Sequence, residues 1–166
     1  MNVTFDWNEW YFIISSLAAL SVFIMIRSYF PLPIIILIWV YNIALVASID
    51  YLLISTPFKV YYFGDNPTYE LSGALFHLFM YPGASLLFLY IYDKWRLYGR
   101  KTVWLIACWT VLALFVEWLS VINHALVYTN WKLYYSIPTY PTASIVLIIL
   151  YRFVTRKLQE LDWALR

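Results

Sequence analysis

Charge is scarce in this sequence: Asp, Glu, Lys and Arg together make up 12% of its 166 residues. A soluble domain of ordinary composition carries about 25%, so a shell built to face water all round is excluded. One cysteine, Cys108, lies inside an apolar run, which excludes an internal disulfide and any Cys-x-x-Cys metal or redox motif. The 4 glycines are too few and too scattered for a loop that cradles phosphates, and no His-Glu-x-x-His zinc pattern occurs. A Gly-x-Ser-x-Gly nucleophile elbow is also absent. The basic residues are few and, as set out below, explained by topology, so nucleic acid is not an expected partner. No cofactor and no metal site is expected, because the candidate ligands are widely scattered along the chain.

What the sequence has in quantity is apolar and aromatic surface, at 64% hydrophobic and 22% aromatic residues. A globule of ~150 residues buries only about 70% of its chain surface. The surplus requires lipid, and the bilayer is the first expected partner. Five continuous apolar stretches are long enough for the roughly 20 helical residues that span ~30 Å of hydrocarbon. They cover about 10–26, 33–54, 70–92, 102–127 and 137–154. Barrel strands would be about 10 residues of alternating polarity, so the expected fold class is all-α, a single five-helix membrane bundle over 1–166. The stretch 1–9 carries Asp6 and Glu9 and no Lys or Arg. That does not suit a cleaved signal peptide, so the first run is expected to stay as a helix. Asn2-Val3-Thr4 matches a glycosylation sequon by chance.

Punctuation between the runs agrees with this division. Arg27 stops the first run, Pro31 and Pro33 suit a helix start, and Gly64-Asp65-Asn66-Pro67 reads as a turn before the third. Tyr81-Pro82-Gly83 falls mid-span, where proline frees a backbone carbonyl that a neighbouring helix or water must satisfy. The tail 155–166 is charged, with Leu158, Leu161 and Leu165 at helical spacing, and is expected to lie along the membrane surface. Five spans place Arg27, Lys94, Arg96, Arg100, Lys101, Arg152, Arg156, Lys157 and Arg166 on one side and only Lys59 and Lys132 on the other. By the positive-inside rule the amino terminus is then outside and the carboxyl terminus cytoplasmic. Trp and Tyr near the span ends fit the headgroup level.

Ionisable residues inside a span cost about 2.5–3.5 kcal/mol each on the insertion scale and default to functional candidates. Asp50, His77 and Glu117 are these candidates, with Tyr81 on the His77 face by the i, i+4 rule. Asn42, Asn123 and His124 are secondary. At 1.5 Å per residue, Glu117 lies about 15 Å, His77 roughly 10–12 Å and Asp50 about 6 Å below the outer ends of their helices. The expectation is an outward-facing polar pocket lined by Asp50, His77, Tyr81 and Glu117, hydrated or closed by partners, with Glu117 and His77 as a proton-sensitive pair. The plainer reading of that pair is interhelical glue, worth about 0.6 kcal/mol on average in one membrane protein. Asp50 reads equally well as a solvated helix end.

These residues also carry a resemblance. Asp50 followed by Pro57, then Phe76-His77 with Tyr81-Pro82, then Glu117 followed by Tyr128-Thr129-Asn130-Trp131, resemble an uncharacterised family of small multi-pass membrane proteins of spore-forming Firmicutes. The likeness covers about 49–156. It implies the five-span architecture and a bacterial cell membrane, including a sporulation-related one, and it implies no activity. His77 stands where that family usually has Glu, which weakens the transfer of a carboxylate-pair mechanism. Two functional classes follow. The first is proton- or ion-linked transport or sensing, in a homo-oligomer. The second is a non-catalytic subunit docking within the bilayer on a larger membrane partner through small-residue faces such as Ser15-Ser16, Ala18-Ala19 and Gly83-Ala84-Ser85. An enzyme ranks last, since no nucleophile–base constellation can be named.

Overall fold

The computed structural model describes residues 5–55, 58–65 and 71–164. Asn2, Pro57, the Asn66-Pro67 part of the expected turn, Glu70, Leu165 and Arg166 lie outside the described residues. Among the described residues, five helices are long and apolar enough to cross a membrane. They are α1 (Trp7–Ile26), α2 (Leu32–Ile54), α3 (Gly73–Lys94), α4 (Arg100–Ile122) and α5 (Thr139–Ala164). Large apolar side chains point away from the bundle, among them Met25 at 80% and Trp104 at 73% exposure. In water such a surface would be far larger than the apolar patches monomers tolerate; in lipid it needs no cover.

Local chemistry sets the helix ends. A 3-10 turn at Arg27–Tyr29 finishes α1, and Phe30 is extended, as a residue before proline prefers. Pro33 sits in the first turn of α2, where a missing N–H is harmless. Gly99, with φ +64°, precedes α4, a backbone geometry that glycine adopts without strain. The expected fourth span overshoots. Helix α4 stops at Ile122, and His124 (φ +54°) takes a left-handed turn. Leu126–Tyr128 then forms a strand, β2, antiparallel to β1 (Tyr61–Phe63). Apolarity alone could not separate these last residues from the span. The expected surface-lying tail is also different: α5 runs unbroken for 26 residues, about 39 Å at 1.5 Å per residue, so the tail extends the fifth span.

Helix α3 is the hub. Within its apolar window 39% is buried, against 17–22% for the other four. Near the basic end it packs Leu86, Phe88, Leu89 and Tyr92 against Ile34 and Ile38 of α2 and Leu147, Ile148 and Tyr151 of α5. At the opposite end Phe76 joins Phe12 of α1, Ile54 of α2 and the ribbon residues Tyr61 and Phe63. Helices α1 and α3 approach closely because Gly83 has no side chain; a Cβ there would lie 2.9 Å from the Ala19 carbonyl oxygen. Gly83 and Ala19, two of the small residues read as docking faces, therefore meet each other inside this chain.

Two π-helical turns interrupt the spans, Asn42–Val46 in α2 and Phe76–Met80 in α3. The second leads directly into Tyr81-Pro82. The Leu78 carbonyl, four residues before the proline, accepts a hydrogen bond from the Trp39 indole of α2 at 2.9 Å. A neighbouring helix thus satisfies the group that proline cannot. Such π turns cost regular hydrogen bonding and occur frequently at functional sites.

Candidate functional site

The site grows from the ribbon end of the bundle. Asp50 projects from the last turns of α2, and His77 from the π turn of α3. They are 7% and 2% exposed and form a hydrogen bond, His77 Nε2 to Asp50 Oδ2, of 2.7 Å. The other ring nitrogen, Nδ1, lies 3.0 Å from the Gly73 carbonyl oxygen. A carbonyl only accepts, so Nδ1 must carry a hydrogen. Nε2 and the carboxylate oxygen then face each other across one further proton. Either the imidazole is doubly protonated against a carboxylate, or the carboxyl donates to a neutral ring. In both forms Asp50 and His77 together hold one proton more than a carboxylate with a neutral imidazole. The Tyr61 hydroxyl donates to the second oxygen, Asp50 Oδ1. Asp50 is thus a buried, paired group and not a solvated helix end.

Glu117 has a separate setting. Its Oε1 accepts the Tyr128 hydroxyl at 2.6 Å and the Ser136 hydroxyl at 2.7 Å, while Oε2 accepts the Tyr140 hydroxyl at 2.7 Å. Ser136 in turn accepts the Trp131 indole N–H at 3.0 Å. Three O–H donors on two oxygens are the complement of a carboxylate. His77 is bonded to Asp50, and the hydrogen bonds of Glu117 are to these hydroxyls. The expected Glu117–His77 pair is therefore two settings side by side. Both acids are closed over by partners, with Glu117 8% exposed.

The ribbon links the two settings. Tyr61 of β1 stands directly opposite Tyr128 of β2, and opposed residues of an antiparallel pair project to the same face. One cross-strand pair of phenols thus serves both acids, Tyr61 on Asp50 and Tyr128 on Glu117. Burial, then the Asp50 charge and hydrogen bond, push the Tyr61 phenol well above its ordinary value. Burial, then the hydrogen bond to Glu117 and its charge, raise Tyr128 in the same direction. Both remain protonated donors. Val60 braces the ribbon, its carbonyl accepting the backbone N–H groups of Thr129, Asn130 and Trp131. Trp131 packs edge-on to Tyr61 at 5.8 Å.

Of the other sequence candidates, Tyr81 lies against the His77 ring, centroid to centroid 5.6 Å. Asn42 begins the π turn of α2 and binds Ser85 of α3, whose hydroxyl donates to its Oδ1 at 3.0 Å. It sits on the same interhelical seam. Asn123 and His124 do not join. Asn123 ends α4, donating to the Leu119 carbonyl and accepting the Trp7 indole N–H, and His124 is exposed in the turn. Sequence reasoning missed Tyr61, Ser136 and Tyr140. Hydroxyl groups carry no charge penalty in an apolar run, so a search for ionisable residues passes over them. Tyr128 alone carried a signal, through its place before Thr129-Asn130-Trp131. Among the described residues no three His, Cys, Asp or Glu converge on a metal-sized site.

The fold and this site define the class as a multi-pass, all-α membrane protein. Comparison with protein-family models, curated proteins and solved structures found no match to this chain.

Proposed function

We propose that this chain performs proton-linked transport or sensing in a bacterial cell membrane, with the amino terminus outside and Asp50–His77 as the proton-binding element. One observation supports the reading: His77 faces a carbonyl with Nδ1 and a carboxylate with Nε2, a geometry that favours an exchangeable proton between two buried side chains. Ionisable groups held inside a bundle are costly and are retained for ion pathways and proton relays. Among the described residues, the titratable groups nearest the pair are Tyr61 from the ribbon, Tyr81 on α3 and, beyond the ribbon phenols, Glu117 on α4. Glu117, held by three hydroxyl donors, stands beside the pair. The nine-to-two distribution of basic residues supports the orientation, and the likeness to the Firmicutes family supports the bacterial source, including a sporulation-related membrane. The unlike residue of that likeness, His77, supplies the basic partner a carboxylate pair would lack.

The interaction-subunit reading has less behind it, since Gly83 and Ala19 are used between α1 and α3. The test compares the wild-type protein with Asp50→Asn in liposomes enclosing a pH-sensitive dye, together with tryptophan fluorescence across the pH range. Wild type is expected to respond to an imposed proton gradient, and the variant to behave as empty vesicles do. If flux and every pH-dependent property are the same in both, the reading fails.

A further inference from the structure

Among the described residues, the ribbon covers the end of the bundle at which both acids lie. Asp50, His77 and Glu117 are 7%, 2% and 8% exposed. The proton-linked reading, on which this inference rests, therefore requires an element to move before the Asp50–His77 pair can exchange a proton with water. Toward the basic end the way is filled by Ile34, Ile38, Leu86 and Leu89, all at 2% exposure or less and without a polar side-chain atom. On the other side stand only the two short strands, paired through 3 residues each.

The ribbon is internally tied and held to the helices at few points. Gly64 N–H bonds the Ala125 carbonyl across it, and the Val60 carbonyl gathers three N–H groups from the segment after β2. At the entry to β1, Val60 N–H bonds the Leu53 carbonyl of α2. Farther along, the ties are Tyr61 on Asp50, Tyr128 on Glu117, and the Phe63 ring against Phe12 and Phe76. One more tie touches neither acid. The Asn8 amide of α1, 4% exposed, donates at 2.7 Å to Oδ1 of the exposed Asp65, in the turn that follows β1. Each strand is entered through a non-glycine residue in the left-handed region. Lys59 (φ +39°) stands two residues before β1, and His124 (φ +54°) two residues before β2. Such backbone is costly and clusters at switch regions, and hinges are a few element-terminal positions that absorb a change in φ and ψ.

We propose that the ribbon is a lid over both acids, pivoting beside Lys59 and His124 and latched to α1 by Asn8 and Asp65, and that the Asp50–His77 pair meets water when this lid lifts. Tyr61 and Tyr128 are cross-strand partners, so lifting one strand carries the other, and Asp50 and Glu117 are uncovered in one movement. The proton then passes between water and the pair, and no other covalent bond changes. Asn8 and Asp65 act through the lid and are positioning residues.

The experiment uses the full chain. Hydrogen–deuterium exchange in lipid nanodiscs reads opening of the ribbon, and stopped-flow acidification of dye-loaded liposomes reads the rate of the proton response. Asn8→Ala and Asp65→Ala cut the latch, while Asp65→Asn keeps its acceptor oxygen. Asp65 is exposed, so its variants stay folded even if Asn8→Ala does not. In each alanine variant the amides of both strands, with those of Thr129, Asn130 and Trp131, are expected to exchange about three- to tenfold faster. The proton response should quicken by the same factor. Asp65→Asn should match wild type, and the double alanine variant should gain nothing over either single one. Faster exchange confined to the turn at Asp65 overturns the lid. So does a proton response that Asp50→Asn abolishes but both latch variants leave at the wild-type rate, and that outcome spares the proton-linked reading. A response that Asp50→Asn retains in full fails the proton-linked reading itself, and the lid's role in proton access falls with it.

Discussion

Replacing Asp50 by asparagine separates a shared proton from an ordinary buried carboxylate, because the two arrangements have different donor counts. In the native site Oδ2 faces His77 Nε2 at 2.7 Å and Oδ1 accepts the Tyr61 hydroxyl. Asparagine has the same shape. Its Oδ1 keeps the Tyr61 hydroxyl, its Nδ2 donates to a neutral Nε2, and Nδ1–H stays on the Gly73 carbonyl. Only the second Nδ2 hydrogen gains no named acceptor, and the step from charged to neutral hydrogen bonds costs about 0.5–1.5 kcal/mol. Alanine instead strands both Nε2 and the Tyr61 hydroxyl in a buried site. At about 1–3 kcal/mol for each unsatisfied group, the loss is about 2–6 kcal/mol. That range brackets the ~3–5 kcal/mol typical of breaking a buried pair. Reversible unfolding in mixed micelles at neutral pH measures both variants, and a potentiometric difference titration counts protons. Asp50→Asn is expected to cost less than Asp50→Ala while binding one proton fewer. If Asp50→Asn binds as many protons as wild type, the shared-proton argument is refuted.

Three further predictions rest on other features of the bundle. Trp39→Phe leaves the Leu78 carbonyl without its indole donor and is expected to cost about 1–3 kcal/mol in the same unfolding assay; adding Pro82→Ala, which returns an N–H to that turn, recovers part of it. Gly83→Ala places a Cβ 2.9 Å from the Ala19 carbonyl oxygen, so α1 must move away from α3, at about 1–3 kcal/mol; a fall in α1–α3 cross-linking yield accompanies the loss. At alkaline pH the raised Tyr61 and Tyr128 phenols matter. A folded value above the unfolded phenol's, about 10, makes stability complete below pH ~10 and progressively lost above it. Phenolate absorbance should show these two tyrosines ionising only with unfolding, and Tyr61→Phe with Tyr128→Phe should flatten the alkaline fall.

The bundle was legible because the solvent dictates it. Without water to bond exposed backbone, a continuous apolar run of some 20 residues has little choice but helix, and all five runs became helices. Errors fell where apolarity stops being informative. Leu126 and Val127 are as apolar as the helix before them, but they pair with Phe63 and Tyr62 in the ribbon, a long-range choice with no local pattern. The two π turns are equally silent in sequence, since they arise from a shifted hydrogen-bond register. Pro82 gave warning that a carbonyl would be freed; that Trp39, 39 residues before Leu78, would satisfy it could be seen only in three dimensions.

The candidate site was legible in its charges and illegible in its pairing, for a physical reason. Insertion cost marks Asp50, His77 and Glu117 one at a time, and depth arithmetic places them at similar levels, but neither fixes the rotation of a helix about its axis. Rotation is set here by packing: Gly73 lets Phe63 close on α3, where a Cβ would meet the Phe63 Cβ at 3.1 Å, and the π turn at Phe76–Met80 shifts the face on which His77 emerges. With His77 committed to Asp50, Glu117 needs other donors, and the chain supplies hydroxyls from the ribbon and the start of α5. Those hydroxyls are what an apolar span hides best. Tyr140 and Ser136 are compatible with lipid, aromatic belts or turns, and become site residues only because a carboxylate stands 2.7 Å away. A second five-span sequence with an acid in its fourth span is therefore better searched for tyrosine and serine in the segment that follows than for a second charge.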